Sequence, residues 1–217
     1  MCLIVVAWHA HPDYPLIVAA NRDEFHARPA SPAAFWDDQP GILAGRDLQA
    51  RGTWMGVSRT RRFAAVTNYR GGTEPSAAHS RGALVTGFLA SDTSPKEYLS
   101  KISPKLYSGF NLFVSDGNEL WWMSNRDGGP RKLDPGVYGQ GNLLLDAPEV
   151  AESKRRFNDS IPAVEPLFGV IAPARIVNAQ YGTRCSTVLL QSERRLKYVE
   201  RSFAPDGTEQ ETVSFDL

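Results

Sequence analysis

The chain is poor in cysteine, with Cys2 and Cys185 the only two in 217 residues. Two thiols cannot make a disulfide framework, and no Cys/His cluster has the spacing of a structural zinc site. An excess of one charge is also missing. Lys and Arg number 24 and so do Asp and Glu, so the basic surface that selects nucleic acid or an anionic membrane is not expected. No apolar run approaches the roughly 20 residues of a membrane-spanning helix. The opening segment has no basic leader and is broken at His9, His11, Pro12 and Asp13, so no secretory signal is expected and the default location is cytoplasmic. Repeats, low-complexity tracts and long linkers are absent too. A chain of this length then reads as one domain, residues 1–217, with a substantial core.

What is present starts with the placement of Cys2. If the initiator Met is removed, Cys2 becomes the amino terminus and carries its own general base. The freed α-amino group has a reference pKa of roughly 7.7–8.0, close to the thiol's roughly 8.5, so one residue offers nucleophile and base together. The bland alternative is an inert thiol near a chain end.

The pattern along the chain is strand-rich. Leu3–Trp8 and Leu16–Ala20 are apolar, β-branched runs joined by a turn-rich link, and they predict an opening hairpin. The polar cluster Asn21-Arg22-Asp23-Glu24 follows the second run. A hairpin returns the chain to the level of its start, so Asp23 is expected beside Cys2. Residues 27–40, rich in Pro and Ala, predict an irregular loop, and Gly41–Gly45, Thr53–Ser58 and Phe63–Asn68 predict short strands. Ser80 with Ala83, Leu84, Val85, Phe88 and Leu89 has helical spacing, and Ser94-Pro95-Lys96-Glu97 predicts a capped helix toward Ile102. Phe110–Ser115 and Glu119–Ser124 flank the turn signal Asp116-Gly117. A helix is expected from Asp146 to about Asn158, and strands at Ser186–Gln191, Leu196–Phe203 and Glu211–Phe215. Strands around grouped helices indicate an α+β arrangement.

Five ordered blocks carry a resemblance. They are Asn21-Arg22-Asp23-Glu24, Gly52–Val57, Phe63–Arg70, Gly141–Asp146 and Tyr181–Val188. In these the chain resembles the NRDE family, that of the transport and Golgi organisation protein 2 homologues. More remotely it is similar to the Cys-type N-terminal-nucleophile hydrolases, such as bile salt hydrolase and penicillin V acylase. That likeness implies a four-layer αββα sandwich. It also implies roles by position. Cys2 would be the nucleophile, Asp23 would orient it, Asn68 and Asn142 would stabilise an oxyanion, and Arg184 would hold a carboxylate or the transition state. The resemblance departs at Ala20, where the hydrolases carry Arg. Along an extended strand Arg22 falls on the same side as Ala20.

For the NRDE family itself the resemblance implies haem binding and trafficking, or the handling of acyl lipids. Three readings therefore stand: a carrier of haem or a similar amphiphilic carboxylate, a Cys2-dependent amidohydrolase or acyltransferase, and a protein-interaction scaffold. A haem site needs a cation for the propionates, an apolar slot and usually a His or thiolate ligand. Arg22 and Arg184 could meet carboxylates, with Asn21 beside them. Trp8, Trp54 and Tyr69 could line a slot, and Cys2, His9, His11, His26 or His79 could ligate iron. None of these histidines has diagnostic spacing. No cofactor is expected for catalysis and no metal site is expected. Because Cys185 follows Arg184 along a strand, alternation predicts that the two side chains point to opposite faces, leaving Cys185 buried and inert.

Overall fold

Six consecutive apolar residues, Leu3-Ile4-Val5-Val6-Ala7-Trp8, form the first strand, β1, and all six are buried. β2 (Leu16–Phe25) returns antiparallel to it, with Leu3 opposite Asn21 and Trp8 opposite Leu16. The expected hairpin is thus present and runs five residues further, through the whole polar cluster. The computed structural model describes residues 2–71, 78–160 and 162–217. Met1, whose removal the amine-base reading requires, lies outside them.

Next come β3 (Ala30–Phe35), β4 (Ile42–Asp47), β5 (Met55–Ser58) and β6 (Phe63–Asn68), then the helices α1 (Gly82–Leu89) and α2 (Pro95–Ser100). Ser94 caps α2 as its sequence predicts, its hydroxyl accepting from Glu97 N at 3.3 Å, with Pro95 in the first turn. β7 (Phe110–Ser115) and β8 (Leu120–Ser124) turn at Asp116-Gly117, where Gly117 takes φ 90° and Asp116 Oδ1 accepts from Asn118 N and Glu119 N. β9 (Asp127–Leu133) and β10 (Gly136–Gln140) follow, then α3 (Ala151–Asn158), α4 (Val164–Ile171), β11 (Tyr181–Gln191), β12 (Leu196–Phe203) and β13 (Glu209–Asp216).

Four of these elements correct the sequence expectation. Residues 27–40 are not all loop, since β3 pairs with β4, with a register irregularity between Ser31 and Ala34 that contains Pro32. β9 contains Gly128, Gly129 and Pro130, and β10 contains two glycines. All three are edge strands, and an edge strand tolerates Pro and needs no full apolar pattern because one side of its ladder is unused. α4 carries Pro166 in its first turn, where the missing N–H would have had no partner in any case.

The chain forms two compact units. The first comprises residues 1–28, 135–141 and 145–217, and the second comprises residues 29–134 and 142–144. The first holds a six-stranded antiparallel sheet in the order β10-β1-β2-β11-β12-β13. Its helices cover one face, where Leu3, Val5, Ile17 and Val188 pack with Phe157 and Ile171. The second holds a seven-stranded antiparallel meander from β3 to β9. On one of its faces Ala64, Leu112 and Val114 pack against Leu84, Val85 and Phe88 of α1. Among the described residues no helix is long and apolar enough to cross a membrane.

Asn21 ties the first unit's helical layer to its sheet. Its Nδ2 donates to Ile171 O at the end of α4 at 2.8 Å, and its Oδ1 accepts from Ser186 Oγ at 2.6 Å. A buried amide satisfied on both sides by groups more than 100 residues distant positions α4 over β2 and β11.

Candidate active site

Cys2 stands directly before β1, at the end of the sheet where β2 delivers Asp23. The sulfur lies 3.4 Å from Asp23 N and 3.4 Å from Asp23 O, accepting from the one and donating to the other. Burial pushes the thiol above its ordinary range, the Asp23 charge adds to this, and the Asp23 N–H and the Arg22 charge pull the other way.

Every polar group of Asp23 is engaged. Besides the two main-chain contacts to sulfur, its carbonyl accepts from Tyr181 Oη at 3.3 Å, and its buried carboxylate accepts from Thr183 Oγ1 at 2.6 Å. Thr183 Oγ1 in turn accepts from Ile176 N at 2.8 Å, while Thr183 N donates to Ile176 O at 2.9 Å. Thr183 and Tyr181 lie in one of the five sequence blocks, yet sequence reasoning singled out only Arg184 there. The missed signal was position: Thr183 is opposite Asp23 in the β2–β11 register.

Arg184 is the extra residue of a β-bulge. Thr183 pairs with Asp23 and Cys185 pairs with Arg22, leaving Arg184 outside the ladder. Its Nη1 donates to the carbonyls of Phe25, His26 and Arg28 at 3.1, 3.3 and 3.0 Å, pinning the turn that follows β2. Burial lowers its pKa first and the neighbouring Arg22 charge lowers it second. Two guanidinium groups thus lie in one another's fields, and that of Arg22 also acts on the Cys2 thiol.

Cys185 is buried as expected, but not by regular alternation along the strand. Alternation is broken at Arg184, so Cys185 shares a face with its cross-strand partner Arg22. The Cys185 thiol is buried, and desolvation and the Glu200 charge raise it well above the ordinary value. It remains a thiol at neutral pH. Strand β2 lies between Cys2 and Cys185, and two strand spacings come to roughly 9.5 Å. A disulfide needs Cα atoms within about 7 Å, so the two cannot be bridged without movement of the sheet.

The remaining sequence candidates separate. His9, with φ 45°, sits in the exposed turn beyond Trp8, at the opposite end of β1 from Cys2. Six residues of strand span roughly 20 Å, so His9 and Cys2 cannot share one iron. Trp8 is a core residue 3% exposed, and His11 Nδ1 accepts from Asp13 N at 3.1 Å. His26 is the histidine at the Cys2 end of the first unit, held by His26 N donating to Gln180 O at 2.9 Å. In the second unit, Asn142 Nδ2 donates to Asn68 O at 2.8 Å and Arg70 N donates to Asn142 O at 2.7 Å, so Asn68 and Asn142 are brought together. Trp54 packs its ring on Gly45, Tyr69 packs on Gly71, and the His79 ring lies 5.7 Å from that of Tyr107. Among the described residues no group of three or more His, Cys, Asp or Glu could hold a metal ion.

Two residues past Asp23, at the end of β2, Phe25 is 58% exposed and its ring lies 5.1 Å from that of Tyr181. The site thus combines a nucleophilic atom, a pair of cations and an apolar rim.

The sequence matches the model of the family described as Transport and Golgi organisation 2 over residues 1–168. It is 32% identical to the mouse Transport and Golgi organization 2 homolog, covering 100% of this chain and 99% of that protein. Among solved structures it is similar to conjugated bile acid hydrolase from Clostridium perfringens, with TM-score 0.63, 9% identity and coverage of 100% and 92%. It is also similar to penicillin V acylase from Agrobacterium tumefaciens, with TM-score 0.61, 12% identity and coverage of 100% and 86%. At such identities the likeness shows the fold, which is the expected α+β, N-terminal-nucleophile hydrolase-like class, each unit supplying one sheet and one helical layer.

Proposed function

This chain belongs to the Transport and Golgi organisation 2 family, and from that premise we propose that it is a Cys2-dependent hydrolase or acyltransferase acting on a non-peptide C–N bond of a small, amphiphilic N-acyl compound. The observation that carries the reading is the Cys2 sulfur held at 3.4 Å by both main-chain groups of Asp23. A thiol fixed by two contacts on a sheet rim is oriented before substrate arrives, which removes part of the entropy of attack.

The reaction requires loss of Met1. The freed Cys2 amine takes the thiol proton, and the thiolate attacks the acyl carbonyl to form a C–S bond. The C–N bond breaks, the leaving amine takes the proton from the Cys2 ammonium, and the acyl group remains as a thioester. Water or another acceptor then adds to the thioester carbonyl, the C–S bond breaks to release the acyl group on that acceptor, and the acceptor's proton returns to sulfur. In the chain that keeps Met1, burial raises the thiol pKa, so without the freed amine the sulfur stays protonated and unreactive. Arg22 and Arg184 suit a substrate carboxylate, and Phe25 with Tyr181 suits its apolar body. Asn68 and Asn142 belong to the second unit, and their oxyanion role rests on the resemblance alone.

Intact-mass measurement tests the proposal directly. With Met1 removed, an N-acyl-4-nitroanilide bearing a distal carboxylate should leave an acyl adduct on the wild type and none on Cys2→Ala. Absence of any adduct on a chain shown to begin at Cys2 would refute it.

A second reading is favoured by Ala20, which stands where the hydrolases have Arg, together with the raised thiol. In it the same rim binds haem or a similar amphiphilic carboxylate and passes it on without turnover, Arg22 and Arg184 meeting the propionates and His26 being the histidine at hand. Saturable haem binding with a Soret shift, lost in Arg184→Ala and retained in Cys2→Ala, would select this reading.

A further inference from the structure

A cavity of about 310 Å³ lies wholly within the first unit, away from the Cys2 rim. It is bounded by α4, the short 3-10 turn after it and strands β11 to β13. Two arginines line it, and each lies over a phenylalanine ring. Arg175 Cζ is 4.5 Å from the ring centroid of Phe203, and Arg201 Cζ is 4.1 Å from that of Phe168.

The two cations differ in what satisfies them. Arg201 is paired with Glu165 and lies 3.8 Å from Glu209. Each has a buried Nε without a hydrogen bond, but the Arg175 guanidinium has no carboxylate partner among the described residues. A ring face offsets part of the charge but accepts no directed N–H bonds, so the planar fork of donors stays unused. At the buried Nε an unpaired donor is costly, and the half-buried remainder of the guanidinium is open to a ligand. The cavity also falls at the lower end of the size range of small-molecule pockets.

We propose that this cavity is a binding site for a small organic carboxylate, with Arg175 as its bidentate anchor and the Phe168 and Phe203 side of the cavity around its apolar part. The Glu165 and Glu209 carboxylates stand on the Arg201 side, so they disfavour a polyanion and leave a single carboxylate at Arg175 as the matching charge. The site is separate from the thiol but connected to it. Ile176, next to Arg175, is joined to Thr183 by two hydrogen bonds, and Thr183 Oγ1 holds the Asp23 carboxylate. Filling the Arg175 cavity therefore bears on the group beside Cys2.

Equilibrium dialysis of the full chain with radiolabelled benzoate tests the site, with inorganic phosphate as competitor. Saturable binding is expected, weakened at least tenfold in Arg175→Gln, unaffected in Cys2→Ala, and competed weakly by phosphate. Gly169→Leu provides an independent variant. Gly169 lines the cavity, a Cβ there would meet nothing within 4 Å, and leucine is the better helix former. It should fold and yet block benzoate. Equal binding by wild type, Arg175→Gln and Gly169→Leu, or none at all by wild type, would overturn the proposal, and stronger competition by phosphate than by unlabelled benzoate would overturn the carboxylate assignment. Because Cys2→Ala is part of the set, these outcomes are independent of whether Cys2 turns over a substrate.

Discussion

Replacing Thr183 by valine keeps the side-chain shape and removes one oxygen on which two buried groups depend. Thr183 Oγ1 donates to the Asp23 carboxylate at 2.6 Å and accepts from Ile176 N at 2.8 Å. Loss of a hydrogen bond to a charged group costs about 1.5–3 kcal/mol, and an unpaired N–H adds about 1–3 kcal/mol. The added methyl group returns about 0.8 kcal/mol. Water can reach the half-buried Ile176, so the lower half of the sum applies and about 2–3 kcal/mol is expected. With a urea slope of about 3 kcal/mol/M for a chain of this size, the midpoint should fall by about 1 M. Urea unfolding followed by far-ultraviolet circular dichroism measures this. Thr183→Ser, which keeps the oxygen, should shift the midpoint by less than half as much. The rate of Cys2 alkylation by iodoacetamide should change in the valine variant, because the Asp23 carboxylate loses its hydrogen bond from Thr183. A midpoint shift below about 0.2 M for Thr183→Val, or equal shifts for valine and serine, would refute the view that this hydroxyl organises the site.

Three further outcomes follow from the same geometry. The thiols of Cys2 and Cys185 are both raised by burial, and Tyr98 is pushed up to about 12. Between the unfolded and folded pKa values the unfolded chain has lost protons that the folded chain keeps, so stability present below about pH 9 is lost as pH rises further; a flat urea midpoint from pH 8 to 11 would contradict it. His9→Ala should leave Cys2 alkylation and any haem binding unchanged within twofold, since His9 is at the far end of β1, and a tenfold loss of haem binding would place the ligand elsewhere than the Cys2 rim. Gly182→Ala puts a Cβ 2.7 Å from Ile176 O, a backbone atom, and should cost about 1–3 kcal/mol by overpacking. A thermal melt within 1 °C of wild type would show that the segment yields freely.

Where the sequence predicted well, one local rule agreed with its surroundings. The β1–β2 hairpin is apolar on both strands, Ser94 with Pro95 caps α2, and Asp116-Gly117 turns β7 into β8. The proximity of Cys2 and Asp23 was legible for the same reason, because a hairpin fixes its own register. The edge strands β3, β9 and β10 were not, since a ladder with one free side imposes little on composition. α4 was hidden by Pro166, which reads as a breaker anywhere but the first turn. At the candidate site the misreading came from Arg184. Counting alternate residues assumes a regular strand, and no residue type announces where a strand admits one extra.

That extra residue has an evolutionary consequence. On an ordinary strand, inserting or deleting one residue inverts every side chain beyond it, whereas here Thr183 and Cys185 keep their partners whether or not position 184 is filled. The chain therefore owns a socket: a side chain can be exchanged, or dropped, between the Asp23 and Arg22 pairs without renegotiating the register of either neighbour. Deleting Arg184 should free the 25–28 turn while leaving the Thr183–Asp23 contact in place, a separation of the two tasks that no substitution along a regular strand could achieve.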